Sequence, residues 1–333
     1  MPTVLLAHPG YSSGGPYEAI LEKAGFSLRK KPEGSDFFNE EQFREALQGC
    51  EAVIAATEPY SRSLMEQTPD LRVIARSGVG YDAVDVSAAD VHDIVVTTTP
   101  GTNEHSVAEH ALAMMMAIAR GFPERDRQVR RGPPWTRRAG PRMAGKKLGI
   151  MGLGRIGQAL ATRAIGLGMQ VIAFEPYPNE AFIQQWKIKR VTLQELLTES
   201  DFVSVHVPLC EATHGVINRE TMNQMKKGSM LVNTSRGGIV IEEDLVEILK
   251  NGPLAAAALD VFDTEPLPLN SPLLAVDNLL LSPHLAGLDE QSAYDASVMV
   301  AESIVALFEG KWPSECVVND QLDSTWRWNR SDS

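Results

Sequence analysis

From the start of the chain to about Pro100, short apolar runs rich in β-branched residues alternate with stretches whose apolar positions recur at helical spacing. Val4–Ala7, Ala52–Ala56, Leu71–Ala75 and Ile94–Thr99 are predicted strands, separated by helices. In one separating stretch Phe43, Ala46 and Leu47 share a helical face, with Asn39 placed as N-cap, Gln42 three residues on and Gly49 as the stop. A second alternating series begins at Lys147–Met151 and runs through Val171–Phe174, Phe202–Val207, Met230–Asn233, Ala256–Leu259 and Leu279–Leu281. Phe202-Val203-Ser204-Val205 and Leu279-Leu280-Leu281 are nearly unbroken apolar segments, as strands covered on both faces must be, so parallel sheets are expected.

Long helical patterns flank the second series at Ser106–Arg120 and at Asp289–Glu309, where Ala293, Ala296, Val300, Ile304 and Leu307 keep register. They are predicted to carry the chain between two domains, so that the first domain is discontinuous and takes back the C-terminal helix. The expected fold is α/β: a Rossmann-type doubly wound parallel sheet at residues 102–285, and a smaller flavodoxin-like substrate domain made from 1–101 and 286–333. Met114-Met115-Met116 is read as core filling within an apolar helix. Arg125–Arg142, rich in Arg, Pro and Gly and holding Trp135, is read as a solvated or subunit-contacting connector. The tail beyond Val318, with Trp326 and Trp328, is too short for a further domain.

Composition narrows the classes of function. A length of 333 residues suits two α/β domains, and no apolar run approaches the length of a membrane span. A formal charge of −12 argues against a nucleic-acid surface, because phosphate neutralisation needs clustered Lys and Arg. Cys50, Cys210 and Cys316 are widely separated and lack CxxC spacing, so neither a disulfide framework nor a zinc site is expected, and reduced thiols in the cytoplasm are. The first ten residues show no basic region followed by a long apolar one. The expected partner is a small molecule, with no metal required.

Candidate chemistry sits where predicted strands end. Gly152-Leu153-Gly154-Arg155-Ile156-Gly157 follows a strand and opens the helical pattern Ile156–Leu167. In such a turn the first glycine permits the bend, the second lets backbone approach a pyrophosphate and the third lets helix pack on strand. About twenty residues on, as that fingerprint requires, a strand ends in Ala173-Phe174-Glu175, which sets a carboxylate for ribose hydroxyls and against a 2′-phosphate. With no Arg or Lys in Pro176–Ala181 to hold such a phosphate, NAD is expected over NADP. Met230–Asn233 runs into Thr234-Ser235-Arg236, Ala256–Leu259 leads to Asp260 and Glu265, and Leu279–Leu281 leads to His284. A strand-end arginine or histidine alone is usually structural. Together these three ends supply a planar fork for a carboxylate, and a histidine with an acid that favours its charged form.

Gly152–Gly157, Asn233–Gly238, Ala257–Phe262 with Glu265-Pro266, and Ser282–Gly287 together resemble the D-isomer-specific 2-hydroxyacid dehydrogenase family. Arg76–Asp82, Thr99–Asn103 and Val107-Ala108-Glu109 extend the resemblance upstream, so that it covers nearly the whole chain to about Asn319. The resemblance implies that Arg236, Glu265 and His284 are the catalytic residues and that Asp260 contacts the nicotinamide carboxamide. It implies further that Gly152, Gly154, Arg155, Ile156 and Gly157 lie under the pyrophosphate and that Glu175, where Asp is more usual, takes the ribose. Val207, Thr234 and Ser235 then line the cofactor, and the Val79 and Gly80 amides, with Arg236, hold the substrate carboxylate.

The implied reaction is NAD-dependent hydride transfer between nicotinamide and a D-2-hydroxy or 2-oxo acid, with the site between the domains and closure excluding water. The phosphoglycerate dehydrogenase-like branch is the most similar, which makes 3-phosphoglycerate a candidate. Arg76 is a candidate to help bind its phosphate, but Thr57-Glu58-Pro59 brings an acid rather than a base towards the expected substrate loop. Hydroxypyruvate or glyoxylate reduction is the alternative, as is an NAD(H)-sensing protein like the family's corepressors. Formate enzymes of this fold resemble the chain less, because they carry Gln where Glu265 stands. The chain leaves no room for the regulatory C-terminal domain of longer phosphoglycerate dehydrogenases, and a homodimer through the cofactor domain is expected from the resemblance.

Overall fold

The computed structural model describes residues 1–11, 14–137 and 139–329. The chain forms two compact units, one from Met1 to Asn103 and from Asp289 onward, the other from Glu104 to Leu288. The seams fall two and three residues beyond the expected 101/102 and 285/286, and helix starts explain the offset. Glu104 opens the helix Glu104–Arg120, and Asp289 caps the helix Glu290–Phe308 by accepting from the Ser292 N–H.

The first unit has five strands: β1 Thr3–Leu6, β2 Ser27–Lys30, β3 Ala52–Ala55, β4 Val73–Arg76 and β5 Val95–Thr97. All pair in parallel in the order β2-β1-β3-β4-β5, the flavodoxin arrangement. Alternate residues feed two cores. Val4, Leu6, Ile54, Val73 and Val95 pack with Val300, Ile304 and Leu307 of the last helix, whereas Leu5, Val53, Ile74 and Val96 pack with Phe43, Leu47 and Leu64. Trp326 and Trp328 are buried in the first of these cores. Arg72 Nε and Nη2 donate to the carbonyls of Trp328 and Arg327, and the Trp326 indole donates to the Asp93 carbonyl. The short tail thus completes one face of this sheet.

The second unit has seven strands: β6 Lys147–Met151, β7 Gln170–Phe174, β8 Lys189–Arg190, β9 Phe202–Val205, β10 Met230–Asn233, β11 Ala256–Leu259 and β12 Leu279–Leu281. They form one parallel sheet in the order β12-β11-β10-β9-β6-β7-β8, which is doubly wound with its topological switch between β6 and β9. The helices Glu104–Arg120 and Arg155–Gly166 cover one face, with Met114 and Met115 buried there as filling. The connecting segment begins with a helix, Phe122–Arg131, that buries no side chain. Among the described residues no helix is long and apolar enough to cross a membrane.

Candidate active site

In the second unit the first crossover builds a cradle. Gly152, directly after β6, takes φ +96°, a conformation L side chains rarely adopt. A Cβ on Gly157 would stand 2.1 Å from the Gly152 carbonyl oxygen, so only glycine lets the helix Arg155–Gly166 sit this close to the turn. Gly154 is the N-cap of that helix and contributes no side-chain cap, and its missing Cβ opens onto space with no atom within 4 Å. An open cradle facing uncapped helix amides at Arg155 and Ile156 fits a pyrophosphate. Glu175, one residue beyond β7, turns back on this loop: Oε2 accepts from the Leu153 N–H at 2.8 Å and Oε1 from the Tyr177 N–H at 2.8 Å. Its carboxylate is thus fixed beside the glycine turn, where a ribose would lie.

Three neighbouring strands deliver the remaining groups to one edge. β10 pairs with β11, Asn233 opposite Leu259, and β11 with β12, Leu259 opposite Leu281, so all three carboxyl ends lie side by side. After β10, the Asn233 amide donates to the Arg236 carbonyl at 2.7 Å and its oxygen accepts from the Ser235 N–H at 3.0 Å, which sets the turn. The Ser235 hydroxyl donates to the Val207 carbonyl beyond β9, and Thr234 is buried between. A Cβ on Gly237 would lie 2.0 Å from the Phe262 carbonyl carbon, so the turn carrying Arg236 presses onto the loop carrying Glu265.

His284 Nδ1 lies 2.5 Å from Glu265 Oε2, while Glu265 Oε1 accepts from the Phe262 N–H at 2.9 Å. Nε2 is then the ring nitrogen directed away from the carboxylate. Burial alone would raise the Glu265 pKa, but the His284 and Phe262 hydrogen bonds, then the charges of His284 and Arg236, outweigh it and hold Glu265 below its ordinary value. Ionised Glu265 fixes the ring. His284 itself has φ +55°, unusual for a residue with a Cβ, and its N–H donates to the Asp260 carbonyl at 2.7 Å.

Asp260 explains how that backbone is held. Its side chain is fully buried, Oδ1 accepts from the Leu285 N–H at 3.1 Å and Oδ2 from the Ala286 N–H at 2.8 Å, and His110 Nε2 stands 3.5 Å from Oδ1. Burial opposes its ionisation, yet the His110, Ser282 and backbone hydrogen bonds win and its pKa is lowered. Asp260 therefore clamps the His284 loop, a role absent from the sequence reading, as are those of Asn233 and His110. His206, beside the glycine turn, is pushed down to about 4 by burial, so it is neutral at pH 7 and no rival proton donor.

Val79 and Gly80 lie in the first unit, on the turn after β4. Val79 is exposed, and Arg76 Nε donates to the Gly80 carbonyl at 2.9 Å.

Comparison with known proteins agrees with this architecture. Residues 112–286 match the family model described as D-isomer specific 2-hydroxyacid dehydrogenase, NAD binding domain. A glyoxylate reductase of Korarchaeum cryptofilum is 41% identical over 280 residues, covering 82% of this chain and 84% of that one. A D-3-phosphoglycerate dehydrogenase of Archaeoglobus fulgidus is 37% identical over 309 residues, which is 92% of this chain but only 57% of that protein's length. The crystal structure of the TT0316 protein of Thermus thermophilus superposes with a TM-score of 0.85 at 33% identity, covering 95% of this chain and 99% of that one. The chain therefore belongs to the NAD-dependent D-isomer specific 2-hydroxyacid dehydrogenase family.

Proposed function

We propose that the chain interconverts a 2-oxo acid and the corresponding D-2-hydroxy acid with NAD(H), and that His284, oriented by Glu265, carries the proton. The 2.5 Å contact between His284 and Glu265 is the observation that carries this reading, because it leaves one ring nitrogen committed to the acid and the other available to a substrate. Bound NADH supplies the hydride that reduces the C2 carbonyl. His284 gives the carbonyl oxygen its proton, and Glu265 holds the ring in place for that step. Arg236 holds the substrate carboxylate and polarises the carbonyl, so negative charge developing on oxygen meets a fixed positive one. The Val79 and Gly80 amides of the first unit, the substrate domain in this reading, are carboxylate-binding groups. For the cofactor, Gly152, Gly154, Arg155, Ile156 and Gly157 hold the pyrophosphate, Glu175 the ribose, and Val207, Thr234 and Ser235 line the site. Asp260 contacts the carboxamide in the same reading, as the family resemblance implies.

The names of relatives supply the acids to try. NADH oxidation measured with glyoxylate, hydroxypyruvate, pyruvate, 3-sulfopyruvate and 3-phosphohydroxypyruvate should show turnover with at least one. Tight NADH binding without turnover of any of them would support the NAD-sensing alternative instead.

NAD preference follows from Glu175, whose carboxylate beside the glycine turn repels a 2′-phosphate. Glu175→Ala should narrow the ratio of kcat/KM between NADH and NADPH by about 10-fold or more, the scale of one charge contact. Equal use of both cofactors by the unaltered chain would remove Glu175 from the ribose site.

A homodimer and a cytoplasmic location belong to the same proposal. Phe122, Val129 and Trp135 are large, exposed and close in sequence in the second unit, as a subunit contact would require. Sedimentation should return a dimer that Trp135→Glu weakens, and a monomeric unaltered chain would contradict the assignment. The three free cysteines, Cys210 exposed among them, suit a reducing compartment. Recovery of the chain in an extracytoplasmic fraction would contradict that location.

A further inference from the structure

Three consecutive N–H groups fix the loop that carries His284, and all three end on Asp260. The His284 N–H donates to the Asp260 carbonyl at 2.7 Å, while the Leu285 and Ala286 N–H groups donate to the two carboxylate oxygens at 3.1 and 2.8 Å. A residue with a Cβ keeps φ +55° only where its surroundings impose it, so His284 is placed by Asp260. The Asp260 backbone is itself tied, its N–H donating to the Asn233 carbonyl at 3.0 Å. Its carboxylate needs a separate anchor, because the two amides that meet it belong to the loop it holds. Carboxylate and loop can swing together unless a group outside the loop grips the side chain.

His110 is such a group. It belongs to the helix Glu104–Arg120, whose Ala108, Ala111 and Met115 are fully buried against the sheet of the second unit. Standing three residues after Val107 and four before Met114, both buried, His110 lies on the flank of that helix turned to the sheet. On the facing side, Asp260 continues the alternation of Ala256 and Ala258, which pack in the same core as that helix. His110 Nε2 is buried, stands 3.5 Å from Asp260 Oδ1 and pairs with no other polar atom of the described residues. The contact is long, but a buried N–H beside a carboxylate is costly to leave unpaired. Since a carboxylate oxygen only accepts, the nitrogen facing it is the one that carries hydrogen, in the neutral ring and in imidazolium alike. Burial opposes ionisation of Asp260, and the His110 contact leads the interactions that overcome it.

We propose that His110 is a positioning residue for the reaction: from the helix it fixes the Asp260 carboxylate, which fixes residues 284–286 and keeps His284 in its working conformation. The inference rests on the reading of His284 as the proton carrier. A hydrogen bond to a charged group is worth about 10-fold at its lower end, and that is the loss expected when His110 can no longer donate.

The test measures kcat and KM at saturating NADH with the best of the five oxo acids above, together with NADH titration and thermal unfolding. His110→Leu keeps most of the ring's volume and removes the donor, whereas His110→Gln returns an amide N–H close to where Nε2 stands. His110→Leu should lower kcat by about 10-fold with a much smaller change in KM, and His110→Gln should recover most of that loss. In an Asp260→Asn background His110→Leu should cost little more, because the two residues act as one unit. Should His110→Leu not fold, His110→Ala takes its place, and should Asp260→Asn not fold, the comparison with His110→Gln decides. An unaltered kcat in folded His110→Leu, no recovery in His110→Gln, or the same loss repeated in Asp260→Asn would overturn the proposal. Unaltered rates in His284→Ala would instead overturn the reading on which it rests, whereas a slow His284→Ala beside an unaltered His110→Leu would overturn this proposal alone.

Discussion

His284→Ala is expected to slow oxo-acid reduction by about 10²–10⁴-fold, the usual contribution of a positioned acid–base group, while NADH affinity barely changes. The separation follows from the fold. His284 stands beyond β12 and is tied to Glu265 and Asp260, whereas the glycine cradle and Glu175 stand beyond β6 and β7. His206, beside the glycine turn, cannot take over, since burial keeps it neutral at pH 7. Glu265→Gln retains an acceptor for the ring but removes the charge beside it, so its loss should be smaller and of the same kind. A folded His284→Ala protein with unaltered rates in single-turnover reduction would remove the proton from this residue.

Arg236→Lys should raise KM for the oxo acid and lower kcat together, for a combined loss in kcat/KM of about 10- to 100-fold, as expected for charge-assisted hydrogen bonds. Lysine keeps the charge but not the paired planar donors that match a carboxylate. The backbone around the residue is held by Asn233 on the Arg236 carbonyl and by the close approach of Gly237 to Phe262, while Arg236 Nη1 donates to the Ser235 carbonyl at 2.7 Å. NADH titration should be unchanged. Lost NADH binding with normal oxo-acid kinetics at saturating cofactor would assign Arg236 to the nucleotide instead.

Hydrophobic patterning revealed those strands that the fold covers on both faces. Met230–Asn233, Ala256–Leu259 and Leu279–Leu281 have the bounds their apolar runs predict. Ser27–Lys30 and Lys189–Arg190 escaped notice because they lie at the outer edges of their sheets, where one side needs no cover and charged residues are tolerated. The helix Phe122–Arg131 was hidden for a related reason, since a helix with no buried face leaves no apolar stripe. In the site, glycine spacing and strand-end residue types pointed to Gly152–Gly157, Glu175, Arg236, Glu265 and His284 as a set. The supports did not show. Asp260 grips two amides 25 and 26 residues away, His110 reaches it from a helix far earlier in the chain, and Trp326 finds its carbonyl 233 residues back. Such partners are created by folding and leave no local period to read.

Hydride should pass directly from nicotinamide to C2 of a 2-oxo acid, with the proton supplied by the protein. Reduction with NADH deuterated at C4 of the nicotinamide, followed by mass and chiral analysis of the product, tests this transfer. One deuterium is expected at C2 of a D-2-hydroxy acid formed in step with NADH loss. Label released to solvent, or a product of L configuration, would contradict it.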